Sequence, residues 1–125
     1  MILVDSSGWL EFFADGPLAA EYGRYLATSS NVVTPTVVLH EVYKVIKRER
    51  GEEDALIAAA QMSQTRLVAL DDSIALTAAD LGLEHKLAMA DSIVYATAQS
   101  LGAELVTSDA DFSGLSGVTY LSKAK

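Results

Sequence analysis

The residues of this chain best suited to chemistry are carboxylates that follow apolar segments. Asp5 comes directly after the apolar run MILV, and Asp109 and Asp111 follow the run ELVT after one serine. Asp91 lies at the start of the helical segment MADSIVYATAQSL, and Glu41 lies in the second turn of the helical segment TVVLHEVYKVIKRER. If these carboxylates meet, they repel each other and raise one another's pKa values, which costs stability unless a divalent cation neutralises them.

The ligand types indicate which cation such a site would take. Carboxylate oxygens without cysteine or histidine favour a hard ion, so the set predicts Mg²⁺ or Mn²⁺. One or two such ions can activate water and stabilise the leaving oxygen of a phosphodiester. The acidic residues therefore predict metal-assisted phosphodiester hydrolysis.

Each carboxylate also has a structural interpretation. Asp91 could be a helix N-cap, since aspartate is favoured there. Asp109 and Asp111 could complement the dipole of a short helix, and Glu41 could pair with Lys44 on an exposed helix face. Asp5 is the hardest to explain in this way, because a strand-end aspartate so near the start of the chain seldom has a capping role.

The segments that must position these residues alternate between strand and helix. Strands are predicted over 2–4, 32–34, 66–70, 103–107 and 117–121, and the main helices over 36–50, 52–63, 73–82 and 89–101. Thr34 is expected to cap the helix that follows it, with Pro35 in the first helical position. This alternation predicts an α/β fold with a mostly parallel sheet, in which ligands gather at the carboxyl ends of the strands.

Length and composition limit the class of protein. A chain of 125 residues, half of them apolar, predicts one domain over residues 1–125. The absence of cysteine and of any run long enough to cross a membrane predicts a soluble, cytoplasmic protein without disulfides. The net charge of −8 argues against nucleic acid, although four of the nine basic residues cluster within seven positions: Lys44, Lys47, Arg48 and Arg50.

Four motifs, taken in order, resemble one family. An N-terminal VDSS, a helical HEV, the segment MADSIVYATA and a final LVTSDADF resemble the PIN-domain ribonucleases, and among them the VapC-type toxins of toxin–antitoxin pairs. The resemblance covers essentially the whole chain. It implies a three-layer α/β/α sandwich, an RNA substrate, a small cognate antitoxin and a homodimer.

The resemblance also assigns roles to residues. It implies that a catalytic metal, Mg²⁺ or Mn²⁺, is held by four carboxylates: Asp5, Glu41, Asp91 and Asp109. Asp111 matches an additional acidic position, and Ser6 and Thr107 match hydroxyl positions that support the acidic ligands.

Two further hypotheses concern substrate binding and alternative functions. Glu41, Lys44 and Arg48 share one side of a helix, so the two basic residues could contact phosphates, or they could be ordinary helix-end charges. A receiver-like phosphoacceptor module would also use a strand-end acidic cluster with Mg²⁺, but it needs a lysine after its last core strands, where this chain has none until Lys123. A catalytically idle PIN-like binding domain is the third possibility.

Overall fold

The computed structural model describes residues 1–123, which form a five-stranded sheet with six α-helices. The strands are β1 (Ile2–Val4), β2 (Val32–Pro35), β3 (Arg66–Val68), β4 (Glu104–Thr107) and β5 (Val118–Tyr120). The helices are α1 (Ser6–Phe13), α2 (Ala19–Leu26), α3 (Thr36–Arg50), α4 (Glu52–Met62), α5 (Asp72–His85) and α6 (Met89–Leu101). Two 3₁₀ turns cover Ser29–Asn31 and Ala110–Phe112.

The sheet has the strand order β3-β2-β1-β4-β5, and every adjacent pair is parallel. In the centre, Leu3 of β1 is in register with Val33 of β2 and with Leu105 of β4. Because parallel crossovers are right-handed, the two steps from β1 to β3 place α1–α4 on one face, and the return to β4 places α5 and α6 on the other. The predicted α/β/α sandwich is confirmed, and the sheet is parallel at every described pairing.

The strand order creates a switch point between β1 and β4. The chain leaves β1 toward β2 on one side and leaves β4 toward β5 on the other, so a crevice opens above the carboxyl ends of these neighbouring strands. Asp5 directly follows β1, and Ser108 and Asp109 directly follow β4. The fold thus brings two of the predicted acidic segments to the same edge of the sheet.

The core explains why these segments are held firmly. Leu3, Val4, Leu105 and Val106 are buried, as expected for central strands covered on both faces. Helix α3 buries Val38, Val42 and Ile46 at four-residue spacing. Helix α6 is buried at every position over 92–98, so it lies inside the fold rather than on its surface.

Two local predictions are wrong. The Thr34 side chain does not cap α3: it lies in β2, and its hydroxyl is 2.7 Å from the Thr65 hydroxyl, while Pro35 takes the N-cap position. Helix α5 does not end at Gly82 but continues to His85, where Lys86 adopts a left-handed conformation with φ of 59°. A glycine inside a helix costs only about 1 kcal/mol, and this helix packs along α6, where a Cβ on Gly82 would lie 3.4 Å from Ser92 Cβ.

Over residues 1–123, none of the helices combines the length and the apolar character that a membrane span requires.

Candidate metal centre

Three carboxylates meet at the carboxyl edge of the sheet. One carboxylate oxygen from each of Asp91, Asp109 and Asp111 lies within 4.8 Å of the other two. Asp91 comes from the first turn of α6, and the other two come from the 3₁₀ turn after β4. Oxygen ligands this close together could hold one divalent cation.

Asp91 is not a helix cap, so the capping interpretation is wrong. Helix α6 begins at Met89, Ala88 is its N-cap residue, and Asp91 is the third helical residue. Burial, and after it the negative charges of Asp109, Asp111, Asp5 and Glu41, raise the pKa of Asp91 to about 6. None of the hydrogen bonds or ion pairs among residues 1–123 involves the Asp91 carboxylate, so it is available to a ligand.

Asp109 has a structural role as well as a place in the cluster. It is the N-cap of the 3₁₀ turn, and its Oδ1 accepts a 2.9 Å hydrogen bond from the Asp111 amide. The first-turn position expected for both carboxylates is therefore taken by Asp111, while Asp109 precedes the turn as its N-cap. This capping role does not compete with metal binding, because a carboxylate has a second oxygen and spare lone pairs.

Asp5 is buried at the exit of β1 and caps α1. Its Oδ1 accepts hydrogen bonds from the Ser7 hydroxyl at 2.7 Å and the Gly8 amide at 3.3 Å, and its Oδ2 accepts one from the Thr107 hydroxyl at 2.8 Å. The expectation that Asp5 has no capping role is wrong. Burial raises its pKa to about 6, although all three hydrogen bonds favour the charged form and lower it; the charge of Asp109 raises it.

The resemblance predicted that Ser6 supplies the supporting hydroxyl on α1, but in the structure the α1 hydroxyl that contacts Asp5 belongs to Ser7. An N-cap side chain turns back over the second and third helical residues, which here are Ser7 and Gly8. Ser6 is the first helical residue, and its hydroxyl makes no hydrogen bond within the described part of the chain. Thr107, the other predicted hydroxyl, does contact Asp5.

The two hydroxyls link Asp5 to the segment after β4. Each has a single proton, and both protons go to the Asp5 carboxylate, so the hydroxyl oxygens are left as acceptors. Thr107 Oγ1 accepts from the Asp109 amide at 2.9 Å, and Ser7 Oγ accepts from the Ser108 amide at 3.0 Å. The buried carboxylate thereby fixes the backbone that carries Asp109.

Glu41 and Asp5 are not members of the close group formed by the other three carboxylates. Glu41 is half-buried on α3. Its negative charge contributes to the raised pKa of Asp91, so it adds to the negative potential at the site. The ion pair between Glu41 and Lys44, which the sequence left open as an alternative, is not among those formed by residues 1–123. Lys44 and Arg48 are exposed, and Arg48 contacts Glu49 at 3.2 Å.

Two further residues that contact this network were not predicted as site residues. The Tyr22 hydroxyl on α2 lies 2.6 Å from the Ser108 hydroxyl, and the Tyr22 side chain is buried. Tyr22 and Ser108 are 86 positions apart. A motif of Ser and Asp could have drawn attention to Ser108, but no local pattern identifies Tyr22.

Solved structures with a similar fold include several toxin–antitoxin proteins. A toxin–antitoxin complex from Klebsiella pneumoniae is 27% identical to this chain with a TM-score of 0.79, and the match covers 95% of this chain and 96% of that one. VapC20 of Mycobacterium tuberculosis, a sarcin–ricin loop cleaving toxin, is 22% identical with a TM-score of 0.76, and the match covers 93% and 95%. DNA-bound VapBC from Salmonella typhimurium is 16% identical with a TM-score of 0.75, and the match covers 98% of both chains.

Comparison with curated proteins found no match. A model of the PIN domain, in contrast, matches residues 2–118. This range includes β1 through the first residue of β5, and with them all the carboxylates described above. The chain belongs to the PIN domain family.

Proposed function

We propose that this protein is a divalent-metal-dependent endoribonuclease and the toxin of a VapC-type toxin–antitoxin pair. The observation that carries the proposal is the meeting of Asp91, Asp109 and Asp111 at the switch point of a PIN-domain sheet. The toxin–antitoxin proteins of similar fold support the biological assignment. PIN-family membership removes the support for a receiver-like phosphoacceptor.

The donor set fits Mg²⁺ or Mn²⁺. It consists of carboxylate oxygens alone, and Asp91 is partly buried among like charges that raise its pKa. A cation would neutralise this repulsion, and hard divalent ions prefer such ligands. A bound ion would supply Lewis-acid stabilisation of a phosphodiester and would make a water more acidic.

The protein's own residues have distinct roles in this proposal. Asp91 and Asp109 would hold the ion, with Asp111 at the exposed rim and Glu41 completing the acidic set from α3. Asp5 would contribute its negative charge to the ion and would also orient the site, because its oxygens keep spare lone pairs while they accept the hydrogen bonds that fix the Ser108–Asp109 backbone. Removal of such supporting contacts commonly lowers metal affinity or activity by about 10–100-fold.

RNA would approach along the exposed side of α3. Lys44 and Arg48 follow Glu41 on the same side of this helix, so their charges would extend from the metal site toward the phosphates of a bound strand. This strip would offset the net charge of −8, which by itself disfavours RNA.

The proposal includes two partners, a small antitoxin and a second copy of the chain. The toxin–antitoxin complexes of similar fold support the first. Sedimentation of the purified protein, alone and after co-expression with the product of a neighbouring small gene, tests both. A monomer that forms no complex would contradict this part of the proposal.

The decisive variant for catalysis is Asp91→Asn. Asp5 and Asp109 accept hydrogen bonds that hold the backbone, whereas Asp91 accepts none from the described residues, so its replacement leaves the loop undisturbed. Wild-type protein should cleave RNA in Mg²⁺ and not in EDTA, and Asp91→Asn should lose at least about 100-fold in rate. Asp80→Asn, an exposed position on α5, is the matched control and should retain full activity. A fully active Asp91→Asn would show that cleavage does not depend on Asp91, and wild-type protein that cleaves no RNA in Mg²⁺ would favour the catalytically idle domain.

A further inference from the structure

Helix α2 contributes a buried hydroxyl to the edge of the acidic site. The Tyr22 side chain is fully buried, and its hydroxyl lies 2.6 Å from the hydroxyl of Ser108. Burial raises the pKa of Tyr22 to about 12, so the phenol keeps its proton at neutral pH and can donate it. Ser108 is half-buried, so the contact is partly shielded from water, and leaving the buried phenol unpaired would cost free energy.

The ring of Tyr22 reaches Ser108 by passing over Gly8. A Cβ built on Gly8 would lie 2.4 Å from Tyr22 Cε1 and 2.5 Å from Val4 Cγ1, so only a glycine leaves room for the ring. Gly8 also donates its amide to Asp5. The first turn of α1 is thus shaped both by the buried carboxylate and by the tyrosine of the next helix.

Ser108 is held at two points from two different helices. Its amide donates to Ser7 Oγ on α1, and its hydroxyl contacts Tyr22 on α2. Ser108 directly precedes Asp109, whose amide is held by Thr107 and whose carboxylate holds the amide of Asp111. A shift of Ser108 would therefore also move the carboxylates of Asp109 and Asp111.

We infer that Tyr22 is a positioning residue that fixes the Ser108–Asp111 turn through the Ser108 hydroxyl and thereby sets the affinity of the acidic site for a divalent cation. The part of this inference that concerns the cation rests on the proposed function. The part that concerns the turn rests on the contacts among α1, α2 and β4.

The test compares Tyr22→Phe and Ser108→Ala with wild-type protein by two measurements. Amide hydrogen exchange of the metal-free protein reports on the turn, and Mn²⁺ titration followed by electron paramagnetic resonance reports on the site. Loss of one hydrogen bond predicts roughly three- to tenfold faster exchange at Ser108, Asp109 and Asp111, with a Mn²⁺ dissociation constant raised by a similar factor. Core amides such as those of Leu3 and Val106 should be unchanged. Tyr25→Phe, the same change one turn further along α2, is the control and should behave as wild-type.

The double variant Tyr22→Phe/Ser108→Ala tests whether the two hydroxyls act through their contact with each other. If the two hydroxyls act through each other, the double variant loses no more Mn²⁺ affinity than either single variant. Unchanged turn exchange, unchanged Mn²⁺ affinity, or exchange accelerated equally in the core would each overturn the inference. Wild-type protein that binds no Mn²⁺ would overturn the proposed function, and the exchange rates would then decide whether Tyr22 holds the turn.

Discussion

The Thr107 hydroxyl donates a 2.8 Å hydrogen bond to Oδ2 of Asp5, which joins the exits of two neighbouring strands across 102 positions of sequence. The same oxygen of Thr107 accepts the amide of Asp109. The Thr107 hydroxyl therefore links the buried carboxylate of Asp5, which follows β1, to the backbone of Asp109, which follows β4. The position of Asp109 in the acidic site therefore depends on this link.

Thr107→Val tests the link with little change of shape. The variant leaves Asp5 Oδ2 without its donor and the Asp109 amide without its acceptor, so we expect RNA cleavage and Mn²⁺ affinity to fall by roughly 10–100-fold. Thr97→Val is the matched control, because it removes a buried hydroxyl whose hydrogen bond among residues 1–123 goes to the Ile93 carbonyl within α6. Equal Mn²⁺ affinity in the two variants would contradict this role for Thr107.

The metal-free protein should become less stable as pH rises through about 6. The pKa values of Asp5 and Asp91 are raised from 3.8 to about 6 in the folded state, so the folded protein binds protons more tightly than the unfolded chain. Their contribution to stability is fully present below the unfolded value and is lost as pH rises through the folded one. The melting temperature in EDTA, measured from about pH 4 to about pH 7.5, should therefore fall with rising pH up to about 6 through the titration of Asp5 and Asp91, and these two groups should give no further slope above that pH.

Asp91→Asn isolates one of these groups. The variant removes the contribution of Asp91 to the pH dependence of stability. Its melting temperature should therefore depend less steeply on pH than that of wild-type protein. Added Mn²⁺ should restore stability to the wild-type protein most strongly at the upper end of the range, where both carboxylates are charged. Identical pH slopes in the two proteins would show that Asp91 is not perturbed as described.

Gly8→Ala should destabilise the fold. The new methyl would overlap the Tyr22 ring and Val4, which are both fully buried, so we expect a loss of about 1–3 kcal/mol in urea unfolding. Gly23→Ala on α2 is the control, since its Cβ would make an ordinary 3.5 Å contact with Phe12 and the change favours helix. Equal stability of the two variants would contradict the close packing at Gly8.

The basic strip on α3 can be tested by salt dependence. If Lys44 and Arg48 contact phosphates, replacing both by alanine should weaken RNA binding and reduce the slope of log K against log salt by roughly 0.7 for each lost contact with single-stranded RNA. The control is the double variant Arg24→Ala/Arg66→Ala, which also removes two positive charges, but from exposed positions in α2 and β3. A slope altered equally by both double variants would indicate a general charge effect and not a binding strip.

The parts of the fold that the sequence predicted well are those with strong local signals. Helix α3 has the predicted bounds, because an apolar stripe runs through it and Gly51 ends it. Helix α6 also has its predicted bounds, with Gly102 at its C-cap. The end of α5 was missed because packing along α6 outweighs the weak helix-breaking tendency of Gly82.

At the site, the residue types were predictable but their contacts were not. Aspartates after apolar strands indicated a shared edge, and the structure brings Asp91, Asp109 and Asp111 together there. The choice of Ser7 over Ser6 depends on the capping geometry of Asp5, which the strand prediction did not include. The contact between Tyr22 and Ser108 joins distant segments, and no periodicity or motif encodes such a pairing.

The most direct test of the central claim is the rate of RNA cleavage by EDTA-treated protein as Mg²⁺ or Mn²⁺ is added back. The acidic site predicts no cleavage without a divalent cation, a saturable rise in rate as the cation is restored, and no such rise for Asp91→Asn. Cleavage that persists in EDTA, or a cation response that Asp91→Asn shares in full, would contradict the account.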